Sequence, residues 1–285
     1  MKNNVSIDKL RLFIAWILII YLFYIFTNLI YSPFRQKIIG KSQFKNIIYE
    51  PKIFCMILTV EDNFNTKAKL IYEAWANECD NHKFISTISK KYYTKKQNNS
   101  DPIEININNF NVLQPPNFTN DSYRKLTEKV FKSFKYVYEK YPDYDFYLKA
   151  DDDTYIFVDN LRLFLSDKNK SKPVTYGYDF HKFVDYGYHS GGAGYVLTNE
   201  ALSRLALFLK NNYSSLILKN LEDVDVAETL RKVQVYPEKS IDDYGRERFH
   251  PLKLYDHYIG KYAYWMRRYS DNPLKKVNSK IKKKL

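Results

Sequence analysis

The segment from Leu12 to Tyr31, LFIAWILIIYLFYIFTNLIY, contains no charge, and only Thr27 and Asn28 are polar. As a helix, about twenty such residues cross the ~30 Å hydrocarbon layer of a bilayer, and apolar residues on every face argue against a surface helix. The pattern predicts a membrane span over 12–31. A short cytoplasmic tail, 1–11, precedes it, and a polar stem, 32–51, bounded by Pro33 and Pro51, follows. A cleavable signal peptide would have a shorter apolar core and a small-residue cleavage site, and neither is evident.

Beyond the stem, short apolar runs alternate with amphipathic ones. IFCMILTV, Ile53 to Val60, is a continuous apolar run of the kind a strand shows when both its faces are buried. Ala68, Ile71, Ala74 and Trp75 then fall on one helical face, and HKFISTIS and IEININN follow as further segments. Between 121 and 141, Leu126, Val130, Phe131, Phe134, Val137, Tyr138 and Tyr141 recur at helical spacing; Asp121 or Ser122 can cap this helix and Pro142 ends it. FYLKA reads as a second buried strand, followed by a helix near Phe157–Leu165. The alternation predicts an α/β fold, an open and mostly parallel sheet flanked by helices, in one domain over 52–268. A basic tail, 269–285, is expected to be disordered. No internal repeat is visible.

Composition adds a net charge of +13, from 45 Lys and Arg against 32 Asp and Glu. The basic residues are scattered except at the tail, Lys275, Lys276, Lys280, Lys282, Lys283 and Lys284, and no zinc-finger spacing, aromatic–glycine RNA motif or arginine-rich arm appears. No nucleic-acid partner is therefore expected. Lys2, Lys9 and Arg11 before the span nearly balance Arg35, Lys37, Lys41 and Lys45 after it, so charge alone does not orient it. The N-x-S/T acceptors at Asn98, Asn117, Asn120, Asn169 and Asn212 favour a lumenal body. Cys55 and Cys79 are the sole cysteines, and they read either as one disulfide or as two buried thiols.

Three segments carry candidate chemistry. In open α/β sheets ligands bind beyond the C-terminal strand ends, where Asp151, Asp152 and Asp153 follow Phe146–Ala150. In extended chain Asp151 and Asp153 share one side and Asp152 faces the other. Close carboxylates raise each other's pKa unless a cation neutralises them. Octahedral Mg²⁺ or Mn²⁺ suits such hard oxygens and keeps positions free for phosphate; an acidic turn capping the next helix is the alternative. SGGAGYVLT, Ser190 to Thr198, supplies glycines that let backbone approach a ligand closely, or simply make a tight turn. Glu222-Asp223 in NLEDVD precedes a short helix, and either stabilises its N-terminus or supplies a general base.

FYLKADDDTYIFVDNLR resembles the metal-binding motif of the core 1 β1,3-galactosyltransferases, which extend O-linked GalNAc on glycoproteins. In order along the chain, CMILTVEDNFNTKAKLIYEAWANECD, GYHSGGAGYVLTNEALSRL, NLEDVDVAETL and DDYGRERFHPL resemble other blocks of that family, together covering roughly residues 53–265. The resemblance implies a GT-A nucleotide-sugar transferase fold, UDP-galactose as donor, Mn²⁺ (or Mg²⁺) as cofactor, and inversion at the sugar carbon. It also implies a glycoprotein acceptor and a single-pass type II protein of the Golgi or ER membrane with a lumenal catalytic domain; a homodimer is compatible with it. Residue by residue, it implies Asp151 and Asp153 as metal ligands and Thr59, Lys149 and Asp152 at the nucleotide sugar. Gly191, Gly192, Ala193, Gly194 and Trp265 fall at the sugar and acceptor, and Asp223, beside Glu222, becomes the base. A fringe-like β1,3-glycosyltransferase, or an inactive homologue serving as a chaperone, fits the same scaffold. Family members carry a further cysteine-bearing stretch and a histidine that completes the metal site. No histidine follows His257 here, so His250, His257 or water is expected in that position.

Overall fold

The structure, a computed structural model, describes residues 49–93, 98, 100–107 and 109–270, together with Leu18 and Tyr21. Apart from those two residues, the expected span over 12–31 lies outside the described residues, as does the tail beyond 270. Among the described residues no helix is long and apolar enough to cross a membrane. The chain divides into two units, Met1–Tyr49 and Glu50–Leu285, and the second holds the sheet and its helices.

Strand β1, Ile53–Leu58, is buried at every position, as its unbroken apolar run requires. Its alternation assigns each side chain to one of two cores: Ile53, Cys55 and Ile57 to one, Phe54, Met56 and Leu58 to the other. Helix α1, Lys67–Ala74, buries Ala68 and Ile71 in the first core. Strand β2, Asn81–Ile85, then pairs parallel to β1. IEININN supplies one strand and the turn after it. Strand β3, Ile103–Ile107, turns at Asn109 with φ 73° into β4, Phe110–Gln114, and the two pair antiparallel as an edge hairpin.

Helix α2, Leu126–Lys140, buries Val130, Phe131, Phe134 and Val137 in the second core, as the periodicity requires. Its expected cap is not formed. A single 3₁₀ turn, Tyr123–Lys125, leads in, and Ser122 makes no side-chain capping bond. Asp121 is instead drawn to the buried Lys129, at 2.7 and 2.8 Å. A buried ammonium needs a counter-charge more than a helix end needs a cap, since water can serve the latter.

Strand β5, Phe146–Asp151, lies parallel to β1, with Leu58 opposite Asp151. Helix α3, Val158–Leu165, packs into the first core. After β6, Val174–Gly177, the small hairpin β7, Asp179–Phe180, and β8, Tyr188–His189, leads to β9, Tyr195–Thr198. Strand β9 runs antiparallel between β5 and β6. Helix α4, Asn199–Asn212, is capped by Thr198, whose hydroxyl accepts from the Ala201 N–H at 3.1 Å. Helix α5, Glu222–Lys232, packs beside it, and β10, Tyr236–Glu238, adds the last strand. The sheet order is β10-β6-β9-β5-β1-β2-β4-β3, parallel but for β9 and β3. This is the predicted mixed α/β sheet with helices on both faces, and it fits a GT-A fold. Short helices α6, Leu254–Ile259, and α7, Met266–Tyr269, close the described chain.

Cys55 and Cys79 form a disulfide with 6.2 Å between Cα atoms, tying β1 to the turn after α1 across a separation of 24 residues. Closing a loop of that size restricts the unfolded chain by about 3 kcal/mol. The double variant Cys55→Ala/Cys79→Ala is expected to lose that much in a denaturant titration.

Candidate functional site

Strand β5 ends at Asp151, and the chain turns at once: the Thr154 N–H donates to the Asp151 carbonyl at 3.1 Å. Strand alternation therefore stops there: Asp151 pairs with Lys149, while Asp152 and Asp153 both lie near Lys67. Asp152 accepts from the Thr59 hydroxyl at 2.7 Å and the Asn63 amide at 2.8 Å, which pins the turn to the loop after β1. Lys67, at the start of α1, lies 3.7 Å from Asp152 and 3.5 Å from the exposed Asp153.

Asp151 meets Lys149 at 2.8 Å. Two residues apart on one strand, they share a face. Lys149 is fully buried; its ammonium also lies 3.4 Å from Glu222 on α5 and donates to the Gly191 carbonyl at 3.2 Å. Burial alone would lower this ammonium, but Glu222 and Asp151 outweigh it and hold its pKa above the ordinary value. The residue expected at the nucleotide sugar thus ties β5, the glycine loop and α5 together.

Glu222 and Asp223 do not precede α5; they form its first turn. Glu222 is buried and accepts from the Tyr195 hydroxyl at 2.6 Å. Burial raises its pKa, against Lys149 and the Tyr195 hydrogen bond, which lower it. Asp223 accepts from the Gly191 N–H at 3.1 Å and from the Val224 N–H at 2.9 Å, and burial lifts its carboxyl above the usual range. Of the two, Glu222 pairs with Lys149, whereas among the described residues no salt bridge reaches Asp223.

The glycine loop lies between these groups. Gly194 has φ +73°, and a side chain there would begin 3.0 Å from the Lys149 carbonyl, so both conformation and space demand glycine. At Gly191 a methyl would lie 2.8 Å from Glu222 Oε2. Ala193 is buried, whereas Gly192 faces open space and its carbonyl accepts from the Thr154 hydroxyl at 3.1 Å. The acidic turn and the glycine loop are thereby bonded directly.

Trp265 is half exposed and packs against Phe180 and Tyr269, with ring centres 5.8 and 5.4 Å away. His250 and His257 do not take the expected metal position. Their rings pack on each other at 4.5 Å, the His257 ring accepts from the Leu252 N–H, and burial pushes His257 down to about 4. No group of three or more His, Cys, Asp or Glu residues able to hold a metal gathers among the described residues. Asn63, Lys67 and Tyr195 were not singled out in the sequence. Lys149 on the face of Asp151 was readable from period two, but Tyr195 meets Glu222 only through the fold.

Gly191→Ala is expected to push the Glu222 carboxylate from its partners and cost about 2 kcal/mol. Gly192→Ala should leave stability unchanged. Thermal unfolding of both variants checks the contrast.

A family model described as Galactosyltransferase matches residues 117–184, which include β5 and the acidic turn. The chain is 30% identical over 213 residues to glycoprotein-N-acetylgalactosamine 3-beta-galactosyltransferase 1 of Xenopus laevis, covering 74% of this chain and 54% of that protein. It is also similar to chondroitin sulfate synthase 3 of Homo sapiens, 28% identical over 148 residues, or 43% of this chain and 17% of that one. The chain spans about half the length of the Xenopus relative and a smaller share of the human one. By these matches, carried on a sheet that fits them, the chain is similar to the core 1 β1,3-galactosyltransferases.

Proposed function

We propose that this chain transfers galactose from UDP-galactose to the 3-hydroxyl of O-linked GalNAc on glycoproteins, with inversion. The carrying observation is that an acidic turn and a raised-pKa aspartate, Asp223, flank one glycine loop whose Gly192 opens to free space. In a single displacement Asp223 takes the proton of the acceptor hydroxyl as its oxygen bonds to the anomeric carbon. The bond from that carbon to the phosphate oxygen breaks, and UDP leaves with the electron pair. Lys149 keeps Glu222 and Asp151 in place, and Gly191 orients Asp223.

Asp151 and Asp153 supply the hard oxygens that would hold Mn²⁺, or Mg²⁺. The half-exposed Lys67, set against Asp152 and Asp153, supports a turn that favours a cation. Two carboxylates suit an ion whose other positions go to water and phosphate. When bound, such an ion offsets charge on the departing diphosphate. Thr59 and Asp152, bonded to each other, form the nucleotide side of the turn, and the half-exposed Trp265 offers a face to the acceptor sugar. The same reading puts the body in the Golgi or ER lumen behind a type II anchor over 12–31. The Cys55–Cys79 disulfide and exposed acceptors at Asn98, Asn117, Asn120 and Asn169 support an oxidising lumen.

The full chain given UDP-galactose, Mn²⁺ and a GalNAc-α-peptide should form the β1,3 product, and Asp223→Asn should lower kcat at least 100-fold. The base acts ionised and burial raises its pKa, so kcat/KM should be lost as pH falls through a value above the 3.8 of an ordinary aspartate. A pH–rate profile reads it directly. No product and no metal-dependent hydrolysis of the donor would contradict the proposal.

A further inference from the structure

His189, the last residue of β8 and the one before Ser190 of the glycine loop, is 94% buried, with 6% of its surface exposed. Its place is built for a ring: any side chain on Gly177 of β6 would begin 2.7 Å from the His189 Cγ. Yet neither ring nitrogen has a hydrogen-bond partner among the described residues. Asp179 Oδ1, opposite on β7, lies 2.9 Å from Nδ1 but out of line for a formed bond. Burying an unpaired ring nitrogen is costly, and water is the usual remedy where a polar cavity adjoins.

Such a cavity exists. It offers ≈ 10 Å³ to the centre of a water molecule, and Thr175, Tyr188, His189, Tyr195, Asp223 and Arg231 are among its walls. That is room for about one water. We propose that a single internal water in this cavity hydrogen-bonds both to His189 Nε2 and to the Asp223 carboxylate, making His189 a positioning residue for Asp223. The role in transfer rests on Asp223 being the base, as proposed above; the water site itself does not.

The protons are consistent with this arrangement. Asp179 beside Nδ1 favours the tautomer with hydrogen there, leaving Nε2 as an acceptor. The water then donates one hydrogen to Nε2 and the other to Asp223. Arg231 on α5 also lines the cavity, and its donors go to the carbonyls of Asp185, Gly187 and Val235. The other titratable groups on the cavity are the hydroxyls of Tyr188 on β8 and Tyr195 on β9; burial, and the charge of Asp223 next, raise the pKa of Tyr188, and the Tyr195 hydroxyl is already given to Glu222. A hydrogen donated to Asp223 stabilises its ionised form. Removing it raises the pKa of the base, so the acid limb of the pH–rate profile moves to higher pH.

The experiment has two parts, both on the full chain. A high-resolution crystal structure should show one water within hydrogen-bond distance of His189 Nε2 and an Asp223 oxygen; a dry cavity, or a water touching only one of them, overturns the proposal. His189→Met fills the space without an acceptor and should move the acid limb of kcat/KM up by about one pH unit. His189→Gln, which keeps an acceptor, should move it back. An unmoved limb in a folded His189→Met variant overturns the positioning role. If Asp223→Asn keeps transfer, the base assignment fails instead, and the crystallographic water alone then decides the site.

Discussion

A single buried ammonium organises the working end of this molecule. Lys149 has no exposed surface, and a charge so placed is tolerated only when paired and hydrogen-bonded. Its partners come from three separate parts of the chain: Asp151 on β5, Glu222 on α5 and the Gly191 carbonyl of the glycine loop. Removing any one leaves a buried charge or a strong acceptor unmatched. The requirement to satisfy Lys149 therefore brings the strand end, the loop and the helix start to one point.

From that point the rest of the site is passed along by short bonds. Glu222, held by Lys149 and Tyr195, fixes the first turn of α5 and with it Asp223. Gly191, which can carry no side chain against Glu222, offers its N–H to Asp223. Thr154 reaches from the acidic turn to Gly192, and Asp152 ties that turn back to Thr59 and Asn63. The parallel pairing of β1 with β5, Leu58 opposite Asp151, is what brings the loops after both strands to the same edge of the sheet. The exposed carboxylate of Asp153 and the open face of Gly192 lie at the outer side of this arrangement.

Much of this was legible before any coordinates. The unbroken apolar run of β1, the helical period of α2 and the position of the aspartates just past FYLKA all follow from local patterning, and the structure keeps them. Local rules failed where a longer-range demand was stronger. Asp121 looked like a cap, but the buried Lys129 claims it. Alternation along an extended chain assigned sides to three aspartates, but the turn closed by Thr154 ends the strand at the first. The meeting of Tyr195 with Glu222, 27 residues apart, depends on how β9 and α5 pack, which no spacing rule reports. His250 and His257 had the chemistry for a ligand, but they face each other instead.

The most direct test of this arrangement is hydrogen exchange on the full chain carrying Lys149→Met, which keeps the bulk of the side chain and removes its charge. With the ammonium gone, the Gly191 and Gly194 amides, now bonded to Asp223 and to the Gly191 carbonyl, should exchange at least tenfold faster while the amides of β1 keep their protection. Unchanged protection at Gly191 and Gly194 in that variant would contradict the claim that Lys149 holds the site together.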